Sequence, residues 1–340
     1  MSSPYEGRRA LITGGHGFLA AHLGSALLEA GAELKLAVRR DAPVEWLVAE
    51  GHEAEIVVAD LRDRDACRRA FRNVDFVFHL AAVGWGFHEN RRRPSEVLAG
   101  NLAINTNVIE LAGRSRLDGL MVTSSSSVYP QGLNRPAENL PLEKPPHPGE
   151  APLGWAKRMA ETQARFVHEQ TGLPIAIVRP SNPYGPWDCL DLERSHVIPA
   201  LINRALNREA PFRVRGSGRP IRSFIHARDV ARGMLAALEH CADASPVNAS
   251  NPQGTTIAEL VTHVLELTDH RAEPVFDRSF PDGPPIKLPD ASRLTRLLDG
   301  ELTRLEEGLT DTIDWMASRR GAPCPPSSRT VVSSSPVGVG

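Results

Sequence analysis

The sequence between residues 9 and 20 reads RALITGGHGFLA. An apolar run, a glycine cluster and a second apolar run follow one another, which is typical of a buried strand, a tight turn and a helix. Small residues let the turn approach a pyrophosphate, and the free amides of the helix start can bind its oxygens. The stretch therefore predicts a dinucleotide site with contacts from Gly14, His16, Gly17, Phe18 and Leu19.

The end of the second expected strand points to the form of the dinucleotide. Arg39 and Arg40 stand there, where an acidic residue would bind the ribose hydroxyls of NAD. Arginines suit the additional phosphate of NADP, so the sequence favours NADP and leaves NAD possible. The alternative is that both arginines only face water.

Strand-like and helix-like segments alternate through the first half of the chain. Strands are expected at residues 9–13, 34–38, 54–59, 76–80, 119–124 and 175–179, and helices at 19–30, 103–112 and 157–170. Near-continuous apolar strands separated by helices predict a parallel sheet that is covered on both faces. We therefore expect an α/β fold with a Rossmann-like, doubly wound parallel sheet.

The pattern of the chain changes after about residue 180. Residues 1–180 are expected to form the dinucleotide-binding domain, to which later segments return, and residues 181–320 a smaller C-terminal α/β substrate domain. Helices are expected there at 198–207, 227–239 and 257–267. The last segment, 321–340, is rich in Pro, Ser and Gly and is interpreted as a disordered tail.

Composition and charge argue against several classes of function. The formal net charge is −2, so no general basic field favours nucleic acid. No apolar run is long enough to span a bilayer, and no signal segment is recognised. The cysteines are widely separated, which argues against a metal site and favours reduced thiols in a cytoplasmic protein; they are Cys67, Cys189, Cys241 and Cys324.

Several ordered motifs carry a resemblance to a known family. They are residues 101–107 (NLAINTN), 124–130 (SSSSVYP), 179–186 (RPSNPYGP), 195–201 (SHVIPAL) and 216–226 (GSGRPIRSFIH). Together with the glycine turn they resemble the extended short-chain dehydrogenase/reductase family, and within it the GDP-L-fucose synthase branch. The resemblance runs from about residue 8 to residue 316. It implies an NADPH-dependent enzyme that epimerises and reduces a keto-deoxy sugar nucleotide.

The resemblance also implies roles for particular residues. In that branch a serine, a tyrosine and a lysine handle the proton at the carbonyl, and the serine and lysine fall on Ser125 and Lys157. A histidine and a cysteine handle the protons of the epimerised carbons. The histidine falls on His196, whereas Ser127 occupies the cysteine position. The tyrosine should stand four residues before the lysine, and that residue is Leu153.

Further contacts follow from the same resemblance. The cofactor contacts implied beyond the glycine turn are Asp60, Leu61, Leu80, Ala81, Ala82, Lys157 and Pro180. The substrate contacts implied are Trp85, Ser126, Asn182, Arg215 and Arg222. Guanidinium groups suit a nucleotide diphosphate, although exposed loop arginines and a packing tryptophan are the alternatives. The partner is expected to be a nucleotide-sugar, and the chain is expected to form a homodimer.

Leu153 raises a chemical problem because it has no proton to give. General acid–base catalysis is worth about 10²–10⁴ in rate, so ordinary reduction should suffer by that order. One explanation is another acid: Lys157, a water, a substrate hydroxyl or, less favoured, Tyr129. A second is epimerisation beside an existing ketone, with His196 and Ser127 moving the protons. A third is a catalytically silent nucleotide-binding protein. The sequence favours an NAD(P)-dependent epimerase/reductase with an atypical site.

Overall fold

The computed structural model describes residues 3–84, 92–190 and 195–319. The expectations for Trp85 and for a tail at 321–340 lie outside these residues. Within them, no helix is both long and apolar enough to cross a membrane.

A parallel sheet of seven strands forms the centre of the fold, in the order β11-β6-β5-β4-β1-β2-β3. Its strands are β1 (Arg9–Thr13), β2 (Glu33–Val38), β3 (Glu55–Val58), β4 (Phe76–His79), β5 (Gly119–Thr123), β6 (Ile175–Pro180) and β11 (Asp243–Ala249). β1 pairs with β2 on one side and with β4 on the other, so the strand order reverses beside β1. Ligands bind outside the carboxyl ends of strands at such a point. The predicted fold class is confirmed.

Helices cover both faces of this sheet and continue beyond it. They are α1 (Phe18–Glu29), α2 (Glu45–Ala49), α3 (Arg64–Ala70), α4 (Pro94–Ala112), α5 (Ala151–Thr171), α6 (Val197–Leu206), α7 (Ala227–His240), α8 (Ile257–Leu267), α9 (Ser292–Leu297) and α10 (Leu305–Ser318). Two clusters of buried apolar side chains lie against the sheet, and a third forms between elements that follow residue 183. The helices expected after residue 180 are present.

The other strands of the described residues are short. They are β7 (Pro183–Tyr184), β8 (Phe212–Arg215), β9 (Ile221–Ser223), β10 (Ile225–His226), β12 (Gly254–Thr256), β13 (Pro274–Asp277) and β14 (Ile286–Lys287). β9 pairs with both β12 and β14, which brings residues 286–287 back beside residues 221–222.

The structure extends two predicted helices and adds a strand to the sheet, and its helices α2, α3, α9 and α10 were not expected either. α4 and α5 begin nine and six residues earlier than expected, because a proline in the first turn of each is compatible with a helix start. The seventh strand, β11, was not predicted. Its sequence DASPVNA has few apolar residues, and it tolerates Pro246 because it lies at the edge of the sheet.

Candidate active site

The glycine turn lies at the carboxyl end of β1, as predicted. The Gly14 and Gly15 amides donate to the Ala37 carbonyl at 3.0 and 3.1 Å, which fixes the turn against β2. Gly14 has a φ of +79°, and a Cβ there would lie 3.0 Å from the Ala81 Cα. Only glycine therefore lets this turn approach the β4 side of the sheet.

The start of α1 suits an anion. Gly17 is its N-cap, with no side-chain cap and no acidic residue in the first turn. Among the described residues, none accepts a hydrogen bond from the Phe18 or Leu19 amide. These donors and the positive end of the helix dipole fit a pyrophosphate. The His16 imidazole lies beside the turn, with Nε2 3.1 Å from the Ala42 carbonyl oxygen.

Three arginines, rather than the two noted in the sequence, lie near one another at the ends of β2 and β3. Arg39 is half-buried, and burial together with the charges of Arg40 and Arg62 lowers its pKa. Arg62 binds Asp60 through Nε at 2.9 Å, and this hydrogen bond lowers the pKa of the Asp60 carboxyl. Sequence reasoning missed Arg62; its place two residues after Asp60 was the available signal.

A buried chain of hydrogen bonds fixes the end of β4. Thr13 Oγ1 accepts the Leu80 and Ala81 amides at 3.1 Å each, so its own hydrogen is left for His79 Nδ1 at 2.8 Å. His79 Nε2 then donates to Asn105 Oδ1 at 3.0 Å. Burial, with the Lys157 charge, lowers the pKa of His79 to about 3, so the ring is neutral.

Two other asparagines of α4 hold neighbouring loops. Asn101 Oδ1 accepts the Val83 amide at 3.0 Å, and its Nδ2 donates to the Val83 carbonyl at 2.7 Å. Asn107 Nδ2 donates to the Leu61 and Arg62 carbonyls at 2.9 Å each. The motif 101–107 thus positions the loops in which cofactor contacts are expected.

A serine turn follows β5. Ser125 is half-buried, and its Oγ accepts the Ser127 amide at 3.1 Å. The Ser125 hydroxyl also lies 3.1 Å from Ser127 Oγ and donates to it. Ser126 is buried within the same turn. The two serines expected to act in catalysis are therefore in direct contact.

Lys157 is joined to the same strand end. Its Nζ donates to the Thr123 carbonyl at 2.6 Å, two residues before Ser125. The side chain is buried, and this burial lowers the pKa of Lys157 to about 8, although the Glu161 charge opposes the shift. The ammonium therefore keeps its proton at neutral pH while lying close to titration.

The start of α5 lies directly on the serine turn. A Cβ at Gly154 would meet the Ser127 carbonyl oxygen at 2.5 Å, so only glycine allows this approach. Leu153 precedes Gly154 and lies one helical turn before Lys157. No hydroxyl is available at the position where the resemblance expects a tyrosine.

Glu150 also faces the serine turn and was missed by sequence reasoning. It is the residue immediately before α5, and its two carboxylate oxygens lie 2.8 and 2.9 Å from Lys287 Nζ on β14. The Ser127 hydroxyl lies beside this carboxylate and helps Lys287 to lower its pKa. The available signal was its spacing of seven residues before Lys157, but the helix was expected to begin only at Lys157.

The Tyr129 hydroxyl is already engaged by two buried partners. Its hydroxyl donates to Asn248 Oδ1 at 2.7 Å and accepts from Arg179 Nη1 at 2.8 Å. Arg179 also pairs with Glu161 at 2.6 Å, and both side chains are buried. Burial raises the pKa of Tyr129 against the opposing effect of Arg179. The alternative acid Tyr129 is therefore disfavoured.

His196 forms a pair with a carboxylate that the sequence left without a role. Its Nδ1 lies 3.1 Å from Asp188 Oδ2, and Asp188 Oδ1 accepts the Cys189 amide at 2.7 Å. The Asp188 charge raises the pKa of His196, against partial burial. Asp188 is buried whereas the His196 side chain is 35% exposed, so the imidazole has one face open to a ligand.

The remaining expected contacts differ in their burial. Asn182 Nδ2 donates to the Ser223 carbonyl at 2.8 Å, and Arg222 Nη1 donates to the Pro284 carbonyl at 2.7 Å. Arg222 also interacts electrostatically with Glu150, which places it near the serine turn. Arg215 is exposed on β8 and lies over the Phe280 ring. Pro180 ends β6 and is buried.

The chain belongs to the NAD dependent epimerase/dehydratase family, whose sequence pattern matches residues 10–251. This is a family of nucleotide-sugar epimerases and reductases that use a nicotinamide cofactor. The resemblance drawn from the motifs is confirmed.

Particular relatives extend over most of the chain. It is 33% identical over 246 residues to probable GDP-L-fucose synthase 1 of Oryza sativa subsp. japonica, covering 71% of this chain and 75% of the relative. It is 29% identical over 317 residues to a dTDP-4-dehydro-6-deoxy-D-allose reductase of a Streptomyces species, covering 92% of this chain and 97% of that one. A GDP-L-fucose synthetase from Naegleria fowleri, solved bound to NADP, covers 95% of each chain with a TM-score of 0.79 and 23% identity.

Proposed function

We propose that the chain is an NADP-dependent epimerase/reductase of a keto-deoxy sugar nucleotide, with acid–base chemistry that does not use the family tyrosine. The observation that carries the proposal is the convergence of Ser125 and Lys157 on the end of β5, joined through the Thr123 carbonyl. The glycine turn after β1 lies at the same edge of the sheet. These are the parts that hydride transfer to a carbonyl requires.

The roles of these residues follow from their positions. The cofactor, when bound, supplies a hydride to the carbonyl carbon. Ser125 is half-buried and offers its hydroxyl to the oxygen on which negative charge develops. Lys157 would hold the hydroxyls of the nicotinamide ribose and keep a positive charge beside them. The Gly14 turn and the α1 amides would hold the pyrophosphate.

The arginine cluster supports NADP over NAD. Arg39 and Arg40 at the end of β2 and Arg62 after β3 lie near one another, where the adenosine ribose phosphate would lie. Asp60 is already bound by Arg62, so it is a poor acceptor for a free ribose hydroxyl.

The substrate class is supported by the relatives. A 4-dehydro-6-deoxy sugar reductase matches nearly the full length of the chain. The pair of His196 and Asp188 supports an additional epimerase activity, because the Asp188 charge raises the pKa of His196 and so favours the protonated imidazole. Such a group can return a proton to carbon beside a ketone. Ser126, Asn182, Arg215 and Arg222 stay predicted substrate contacts.

A homodimer in the cytoplasm completes the proposal. α5 packs on α4 and exposes Trp155, Met159 and Phe166, of which Phe166 is 62% exposed. Exposed apolar side chains on one helix favour an interface with a second copy.

The second candidate is a catalytically silent nucleotide-binding protein, and the leucine at position 153 favours it. Titration with NADPH followed by GDP- and dTDP-linked 4-keto-6-deoxy sugars separates the two. Consumption of NADPH supports the reductase, and solvent-deuterium uptake without consumption supports epimerisation alone. Cofactor binding with neither reaction would support the silent protein, and no binding would overturn the proposal.

A further inference from the structure

Glu150, Leu153 and Lys157 lie on one face at the start of α5. Glu150 precedes Lys157 by seven residues, close to two helical turns, and Leu153 lies between them. The carboxylate therefore reaches the same end of β5 as the lysine, one turn beyond the leucine. Leu153, which has no hydroxyl, thus lies on the same helix face as the carboxylate of Glu150.

A chain of polar groups leads from this carboxylate to the expected reacting atoms. Ser125 donates to Ser127 Oγ at 3.1 Å. The Ser127 hydroxyl lies beside the Glu150 carboxylate and helps to lower its pKa. The approach of Gly154 to the Ser127 carbonyl holds the helix start against the serines. Lys287 binds both carboxylate oxygens from the opposite side and fixes their position.

We propose that Glu150 is the proton donor and acceptor of this site, acting through Ser127 and Ser125 where the family uses a tyrosine. The inference rests on the proposed function, since it supplies the proton that the reduction of a sugar ketone requires. It also gives a role to Ser127, which is otherwise a poor replacement for a thiol.

The proton movements balance in both directions. In reduction, the carbonyl oxygen would take a proton from Ser125 as the carbonyl carbon receives the hydride that bound NADPH would supply. Ser125 takes one from Ser127, and Ser127 takes one from the Glu150 carboxyl, which solvent then reprotonates. In oxidation the alcohol proton follows the reverse path to the Glu150 carboxylate while NADP⁺ accepts the hydride. Each serine ends with the proton count with which it began.

The charges around Glu150 set the pH dependence of this path. Burial alone would raise the pKa of Glu150, but Lys287, helped by Ser127 and His147, lowers it overall. Arg222 adds a further positive charge on the same side. The carboxylate is thus ionised near neutral pH, so reduction should accelerate as pH falls toward the Glu150 pKa, and oxidation should be supported above it.

The first test is Glu150→Gln in the full-length protein, with saturating NADPH and a 4-keto-6-deoxy sugar nucleotide. The expected result is a fall in kcat of about 10²–10³, within the range of general acid catalysis. The Kd for NADPH should not change, because Glu150 does not face the glycine turn. Glu169→Gln is the matched control, since Glu169 is exposed near the other end of the same helix.

A structural role for Glu150 is separated by pH profiles. Lys287→Met keeps the carboxylate but removes its cation, so the limb of the kcat profile that belongs to Glu150 should shift to higher pH. The same limb should disappear in Glu150→Gln, and Leu153→Tyr in that background should restore activity. A merely structural carboxylate would lower stability in both variants without moving any limb.

Two outcomes overturn the inference and are distinguishable. Wild-type turnover with an equal kcat and an unchanged pH profile in Glu150→Gln would remove the Glu150 path and leave the proposed function standing. Absence of turnover and of solvent exchange in the wild type, with every sugar nucleotide tested, would remove the proposed function and this path together.

Discussion

The turns that follow β1 and β5 lie at the same edge of the sheet but relate differently to the family. The first keeps Gly14 in the left-handed conformation and leaves the α1 amides for an anion. The second has Ser125 and Lys157, yet Leu153 and Ser127 stand where the resemblance expects a tyrosine and a cysteine. A turn whose backbone must approach a cofactor accepts few side chains at its positions. A proton, by contrast, can come from any acidic group that lies close enough to the reacting oxygen.

Of the substitutions that distinguish the two turns, Ser125→Ala is expected to change the reduction rate most. Loss of a donor to the developing oxyanion should lower the reduction rate by about 10²–10³. Cofactor affinity should stay at the wild-type value because the glycine turn is untouched. Stopped-flow measurement of NADPH oxidation checks the rate, with Ser115→Ala as the control in a turn after α4. A wild-type rate in Ser125→Ala would show that the serine turn is not the reacting centre.

Sequence could predict the glycine turn because everything it needs is local. A strand, three glycines and a helix within residues 9–20 fix both its conformation and its place in the sheet. The edge strand β11 escaped prediction because its pattern DASPVNA lacks the apolar alternation on which such predictions depend.

The partners in the site could not be predicted in the same way. Lys287 reaches Glu150 across 137 positions, and this contact depends on β14 pairing with β9. Asp188 lies eight positions before His196, with no periodic pattern to join them. The proximity of Arg62 to Arg39 requires that β2 and β3 be neighbours. In each case tertiary pairing, rather than local sequence, brings the charges together.

The next effect concerns the cofactor turn itself. Gly14→Ala should weaken NADP binding by about 10–100-fold, since left-handed strain of about 1–3 kcal/mol adds to the clash with Ala81. Gly7→Ala is the control, because Gly7 has a φ of +64° but no atom within 4 Å of the added Cβ. The Gly7→Ala variant should be less stable than the wild type but should bind NADP with the same affinity. Equal NADP affinities for Gly14→Ala and the wild type would contradict the assignment of this turn.

A smaller effect is expected at the arginine cluster. Arg40→Ala and Arg62→Ala should each weaken NADP by about tenfold, as expected for a charge-assisted contact to phosphate. NAD should be affected less, and Arg62→Ala should help it by releasing Asp60. Calorimetric titration of both dinucleotides gives the ratio, with the exposed Arg69→Ala as control. Equal weakening of NAD and NADP would remove the preference for NADP.

The smallest effect is a shift in pH dependence at His196. Asp188 raises the pKa of His196, so Asp188→Asn should lower that pKa and move the alkaline limb of solvent-deuterium exchange to lower pH. The pair should also contribute stability that is fully present below the unfolded-state pKa of about 6.5 and lost as pH rises through the folded value. NMR titration of His196 measures the shift, and an unmoved limb would exclude the pair from exchange.

Single-turnover oxidation of protein-bound NADPH by a 4-keto-6-deoxy sugar nucleotide tests the central claim most directly. The central claim is that the glycine turn binds the dinucleotide and that a group other than a tyrosine supplies the proton. It predicts that NADPH binds and is consumed by the wild type, and that Leu153→Tyr accelerates the consumption. Tight binding of NADPH with no consumption in either protein would contradict it.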